Sequence, residues 1–244
     1  MIEFANQSYT KHPNPFWRQE RRILPGGFKP VQEFPVGTKL YKGAWLAVLA
    51  GLTCAVVKMA KVLTGGTTTK PRVAKDGYFQ VGDVVMDLSK ADASPTVTAI
   101  DTSNPDYDVL TLSAAIAGLG EGHFLQEATG YGYYDAESGD EGALKVVASG
   151  ATTGQINLAS VSPYKGSKEL AANDYVVLKN AAPKYVPNSV LVEDDEFVAE
   201  RFPALSAAYD AVLLKDILPA FPESWLIENG YALKSNPNIK VIEQ

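Results

Sequence analysis

CAVVKMAKVL (54–63), TGGTTTKPRVAKDGYFQ (64–80), VGDVVMDL (81–88), TVTAID (96–101) and DVLTLS (108–113) are the segments that decide the fold. The first, third, fourth and fifth are short runs rich in Val, Leu and Thr, bounded by Gly, Pro, Asp and Asn. That composition fits a pleated, half-buried surface. They read as strands of a small antiparallel barrel or sandwich. None of them gathers the residue types an active site needs, so the stretch speaks to architecture before activity.

Working outward, the same texture continues. Strand signals fall at 40–49, 54–63, 82–88, 96–101, 108–112, 124–128, 144–148 and 174–178, separated by turn residues such as Ser103-Asn104-Pro105-Asp106. That spacing predicts an all-β barrel or sandwich. A local echo links Val62-Leu63-Thr64-Gly65-Gly66 to Val147-Ala148-Ser149-Gly150, and Gly82-Asp83-Val84-Val85 to Asn173-Asp174-Tyr175-Val176. Two related β units and simple reuse of a turn both account for it.

Upstream, residues 1–38 hold Pro13, Pro15, Pro25, Pro30 and Pro35, which remove ladder donors and stop helices. The segment is expected to be an extended arm. Its aromatics, among them Phe4, Tyr9, Phe16, Trp17, Phe28 and Phe34, are too many for an exposed linker, so the arm is expected to lie against its own body or a neighbouring subunit. Residues 1–30 carry five cations against two anions, which leaves −9 on the remainder of a chain of net charge −6. A basic arm on an acidic body suits an acidic partner. The candidate contact residues are Phe4, Tyr9, Phe16, Trp17, Arg18, Arg21 and Arg22.

Downstream, GYGYYDAESGDEG (130–142) sets Tyr131, Tyr133 and Tyr134 among glycines and carboxylates. Exposed tyrosines offer large contact area at small entropic cost, so these three form a candidate ligand or partner surface. Past residue 181 the texture changes: Leu205, Tyr209, Val212 and Leu213 have helix-like spacing, and 223–229 starts after Pro222 and ends before Gly230. A small α/loop element with a last strand at 239–242 is predicted. The resulting division is an arm (1–38), a β unit (39–130), a second β segment (131–182) and a mixed α/loop element (183–244). The fold class is therefore mainly β, with an antiparallel barrel or sandwich body.

The chain offers little for catalysis. Its only histidines are His12 and His123, and Cys54 is its only cysteine, sitting in an apolar run where a small buried hydrophobe is expected. No G-x-S-x-G elbow is present, and Gly65-Gly66-Thr67-Thr68-Thr69-Lys70 lacks the ending of a phosphate-binding loop. The acidic run Glu193-Asp194-Asp195-Glu196 lacks the spaced ligands of an EF-hand. No catalytic residue, cofactor or metal is assigned. A pI near 5.0 argues against a nucleic-acid partner, and the uncharged run 43–57, interrupted by Gly51, is too short to span a bilayer.

The order AKVLTGGTTTKPRVAK (60–75), GYFQVGDVV (77–85), TVTAIDTSNPDYDVLTL (96–112) resembles the head fiber proteins of tailed bacteriophages and prophages. The likeness covers residues 36–130, with a looser match at AERFPA (199–204); the second Gly/Thr unit, 144–178, departs from the pattern. The resemblance implies a non-enzymatic virion component, made in the bacterial cytoplasm. It would be bound to the major capsid protein on the capsid exterior and often be trimeric. Two other classes remain open. A carbohydrate-binding or adhesion module would use Tyr131, Tyr133, Tyr134 or Trp45 as platforms, and a hydrolase would need His123 or paired carboxylates in a cleft.

Overall fold

Buried and outward side chains alternate where a strand has one packed face, as in Arg72–Ala74, whereas Val85–Asp87 and Ser189–Leu191 are buried at every position. The structure, a computed structural model, describes residues 14–24, 27–197, 204–228 and 230–243. Among them there is no α-helix, and no helix is long and apolar enough to cross a membrane. The chain divides into two units: residues 1–57 with 186–244, and residues 58–185. The first is discontinuous, a division that four successive segments do not anticipate.

The first unit contains β1 (Phe16–Ile23), β2 (Lys29–Pro30), β3 (Lys39–Leu40), β4 (Trp45–Leu49) and β5 (Thr53–Val56). The second holds β6 (Met59–Leu63), β7 (Arg72–Ala74), β8 (Val85–Asp87), β9 (Val97–Asp101), β10 (Tyr107–Leu112), β11 (Phe124–Glu127), β12 (Gly132–Ala136), β13 (Leu144–Val147), β14 (Gln155–Asn157) and β15 (Tyr175–Lys179). The chain then returns to the first unit with β16 (Ser189–Leu191), β17 (Asp195–Glu196), β18 (Ala207–Leu214), β19 (Ala232–Leu233) and β20 (Asn236–Ile242). The run 54–63, expected as one strand, is two. It breaks at Val57-Lys58, where the chain passes between units and Lys58 is buried against Asp83.

In the second unit six strands are ordered β8-β11-β6-β7-β10-β9. The sheet curls until its two ends meet at the Val84–Thr96 bridge, where Gly82 N–H donates to the Val97 carbonyl and Val97 N–H to that of Asp83, each at 2.8 Å. All six strands turn residues inward: Ala60, Val62, Val73, Val85, Val97, Leu110, Leu112 and Leu125, with Ile116 and Leu119 packed against them. Each large aliphatic buried there contributes ~1.5–3 kcal/mol. The predicted barrel-like core is thus realised from the segments quoted first, and GGTTT (65–69) is the β6–β7 connection. A Cβ at Gly66 would lie 2.4 Å from the Arg72 nitrogen, which is why the turn needs glycine there.

Four further strands of this unit form a sheet ordered β12-β15-β13-β14, with β13 and β14 parallel. Val146 and Val176, both fully buried, lie on one face.

The first unit's sheet runs β19-β20-β18-β16-β4-β5-β2. Ala208 pairs with both Val190 and Ile23, so β1 occupies the edge of β18 opposite β16. The chain then continues through Leu24 N–H to the Ala207 carbonyl (2.9 Å) and the Phe28–Leu205 bridge into β2, which pairs with β5. Residues 16–30 therefore link β18 to β5 and close the ring of strands. The described part of the Pro-rich segment, from residue 14 onward, includes the extended strands β1 and β2 and lies on its own body.

The helix-like spacing within 203–214 falls on a strand, β18. Leu205, Ala207, Ala211 and Leu213 are buried on one face, with Ala208 buried as well, a pattern that the helix-like spacing of the larger residues concealed. The alanines are small because β18 lies inside the sheet with neighbours on both edges, and pairing there overrides their helical preference. After Pro222 only one 3₁₀ turn forms, Glu223–Trp225, so the α/loop element is corrected to strands and turns; the last strand stands, as β20.

One turn recurs five times, at 35–38, 41–44, 80–83, 120–123 and 171–174. The third residue (Gly37, Gly43, Gly82, Gly122, Asn173) has positive φ, between +77° and +99°. Its N–H donates to the carbonyl of a residue in or just after a strand (Phe197, Leu191, Val97, Val62, Val146) whose own N–H returns to the fourth residue's carbonyl, all at 2.7–2.9 Å. The likeness of Gly82-Asp83 to Asn173-Asp174 is this turn. The same turn occurs in both units.

Candidate binding surfaces

The expected contact strip lies on β1. Phe16 is buried (3%) opposite Leu213 and anchors the strand. The register then jumps from Phe16–Leu213 to Arg21–Ala211, so residues 17–20 bulge from the ladder, with Arg18 at φ +47°. The Arg18 guanidinium stands 5.0 Å over the half-buried Trp17 ring, and that of Arg21 5.0 Å over Phe16. Arg22 makes only a long contact, 3.7 Å, to Asp210, both well exposed, a pair worth little in water. Phe4 and Tyr9 lie outside the described residues. The structure therefore keeps Trp17, Arg18, Arg21 and Arg22 on one strand but not on one face: Arg21, opposite buried Ala211, lies over the core residue Phe16, and Arg22, opposite Asp210, is exposed.

The three loop tyrosines do not share a surface. Tyr131 packs against the small buried cluster Met86, Ala128 and Ala181, and its N–H donates to Ser94 Oγ (2.5 Å). Tyr133 pairs with Leu178 and bridges to Tyr164, on the face that carries buried Val176. Tyr134 pairs with Val177 on the opposite face, donates its hydroxyl to the Gly130 carbonyl (2.5 Å), and has Lys179 Nζ 5.2 Å over its ring. A single platform of all three is corrected, because alternation sends neighbours to opposite faces. Trp45 is buried (2%) against Phe221 and Trp225 and is not a platform either.

Two polar clusters lie inside the second unit. Lys58 Nζ, 2% exposed, bonds both Asp83 oxygens (2.7 and 2.8 Å) and Gln80 Oε1 (2.9 Å), and Lys184 Nζ reaches Glu127 Oε1 at 2.6 Å. The Glu127 carboxylate holds the Lys184 ammonium above its usual pKa. The other cluster centres on Asp87, fully buried, which accepts from Ser89 N–H (3.0 Å) and Ser89 Oγ (2.8 Å) and lies 2.6 Å from His123 Nδ1. A hydrolytic triad places acid and nucleophile on opposite ring nitrogens. Here Ser89 donates to the carboxylate and sits 3.4 Å from the same Nδ1, an arrangement that supplies a buried carboxylate with donors.

The acidic run at 193–196 is used locally: Asp194 Oδ1 accepts from Lys42 N–H and Asp195 Oδ1 from Glu196 N–H, each at 2.8 Å. Among the described residues no group of three or more His, Cys, Asp or Glu side chains is placed to hold a metal. Burial pushes the Cys54 thiol up to about 11, and the Tyr164 hydroxyl, donated to Asp135, is pushed up to about 12.

Compared with known proteins, the chain matches no family model, no curated protein and no solved structure.

Proposed function

We propose that this chain is a structural component of a bacteriophage particle, a head-fiber or decoration protein. In this reading it attaches to the major capsid protein on the capsid exterior as a trimer and catalyses nothing. Neither nucleic acid nor membrane is a partner. The reading rests on the likeness of residues 60–112 to head fiber proteins. It is supported by one observation above others: β1 is locked into its sheet by Phe16 while its bulge leaves Arg18 exposed against the half-buried Trp17, with Arg22 exposed further along the strand. Trp and Arg are the residues that dominate binding at interfaces, and a strand fixed by its own core presents them without a further ordering cost.

The test is co-sedimentation of the purified protein with capsids lacking it. Residues 1–35 cannot simply be removed, because β1 and β2 belong to the sheet of the first unit. The variant is instead Trp17→Ala with Arg18→Glu, Arg21→Glu and Arg22→Glu. Loss of capsid binding with an unchanged circular dichroism spectrum is expected; undiminished binding rejects the docking role.

A further inference from the structure

The face of the four-stranded sheet opposite its buried valines forms a second candidate site. Cross-strand partners point the same way, so Tyr134–Val177, Tyr175–Lys145, Lys145–Gln155 and Val147–Asn157 place all these side chains on one face, with Lys179 two residues beyond Val177. None of them is buried, whereas Val146 and Val176 on the other face are. The segment 163–165 lines the free edge of β12, with Tyr164 beside Tyr133, so Lys165 alternates onto the Tyr134 face. Its stem crosses at Gly132, where an added Cβ would lie 3.1 Å from Lys165 Cγ and 2.5 Å from the Pro163 carbonyl oxygen. At these positions the face carries three lysines, two tyrosines and two carboxamides and no carboxylate, in a protein of net charge −6.

The polar groups there are donors. Gln155 Oε1 already accepts from Thr152 N–H and Oγ1, and Asn157 Oδ1 from Ala151 N–H, which leaves donor groups as what the two amides can offer a ligand. Lys179 is held over the Tyr134 ring, so its charge stays on the face. A flat surface of tyrosine rings with amide donors and ammonium groups matches a ligand that is ring-shaped, hydroxylated and anionic. We propose that this face binds an acidic polysaccharide, with Tyr175 stacking on a sugar ring and Lys145 and Lys179 pairing with its carboxylates. A peptide would be expected to add along an edge or enter a groove, and this surface is neither. The proposal is independent of capsid attachment.

The experiment is affinity electrophoresis and titration calorimetry of the full chain against alginate as a polyuronate, dextran as a neutral glucan and poly-L-glutamate as an acidic peptide, at one ionic strength. Alginate is expected to bind and dextran not. Tyr175→Ala and the pair Lys145→Gln/Lys179→Gln should each weaken alginate binding by about tenfold, while Tyr175→Phe keeps it. Capsid co-sedimentation of these variants should be unchanged. Absence of alginate binding overturns the proposal, as does alginate binding indifferent to these substitutions. Equal binding of poly-L-glutamate through the same residues also overturns it, in favour of an acidic-peptide site. If Tyr175→Ala does not fold, the lysine pair and Tyr175→Phe decide.

Discussion

At the scale of single residues, titration behaviour follows from burial and partners. Cys54 is fully buried and its thiol is pushed up to about 11. Its folded value lies above the ordinary thiol value of ~8.5, so the stability it contributes is complete below that value and is lost as pH rises towards the folded one. At pH 8 a disulfide exchange reagent should therefore leave Cys54 unmodified in the native protein and react fully in denaturant; rapid native reaction would contradict the burial. Tyr164 behaves alike: its hydroxyl donates to Asp135, and its ionisation is pushed up to about 12. In an ultraviolet titration Tyr164→Phe should remove one phenol that ionises near pH 12; an unchanged curve at that end would contradict the Asp135 contact. Lys58→Met would strand Asp83, itself only 11% exposed, and is expected to cost ~3–5 kcal/mol in urea unfolding. The burial of Cys54 was readable from its apolar neighbours. The separation of Tyr131, Tyr133 and Tyr134 was not, since it depends on where β12 begins. The Tyr175, Lys145 and Lys179 face was hidden for the same reason, because Lys145 joins it only through the register of β13 on β15.

At the scale of elements, the strands of the barrel-like sheet were legible because short Val-, Leu- and Thr-rich runs lie between turn residues, with inward aliphatics two residues apart in β6 (Ala60, Val62) and β10 (Leu110, Leu112). β18 was not, because its inward positions include alanines that carry a helical preference, and the pairing that overrides it comes from β1, β16 and β20, distant in sequence. The recurrent turn gives this scale its own prediction. Gly82 sits at φ +99° with nothing within 4 Å of an added Cβ, so Gly82→Ala tests backbone strain without a clash. It should cost ~1 kcal/mol, whereas Asn173→Gly at the equivalent position, φ +77°, should be neutral or slightly stabilising. Urea midpoints of the two variants, measured side by side, check the pair; equal losses would contradict the shared geometry.

At the scale of the whole molecule, the chain enters the second unit at residue 58 and leaves it at 185. Strands β6 to β15 therefore lie in one continuous stretch, and a fragment of residues 58–185 should fold alone with a cooperative thermal transition, while residues 1–57 should stay unfolded without 186–244. The sequence offered one or two β units and had no means of joining its two ends, because the closing contacts, β1 on β18 and β16 on β4, span most of the chain. In the proposed reading, capsid attachment is carried by the β1 strip. The most direct measurement is electron cryomicroscopy of capsids incubated with the full chain. Density for both units on the capsid exterior, with β1 facing the major capsid protein, is the predicted result. Bare capsids, or attachment with β1 turned to solvent, would contradict it.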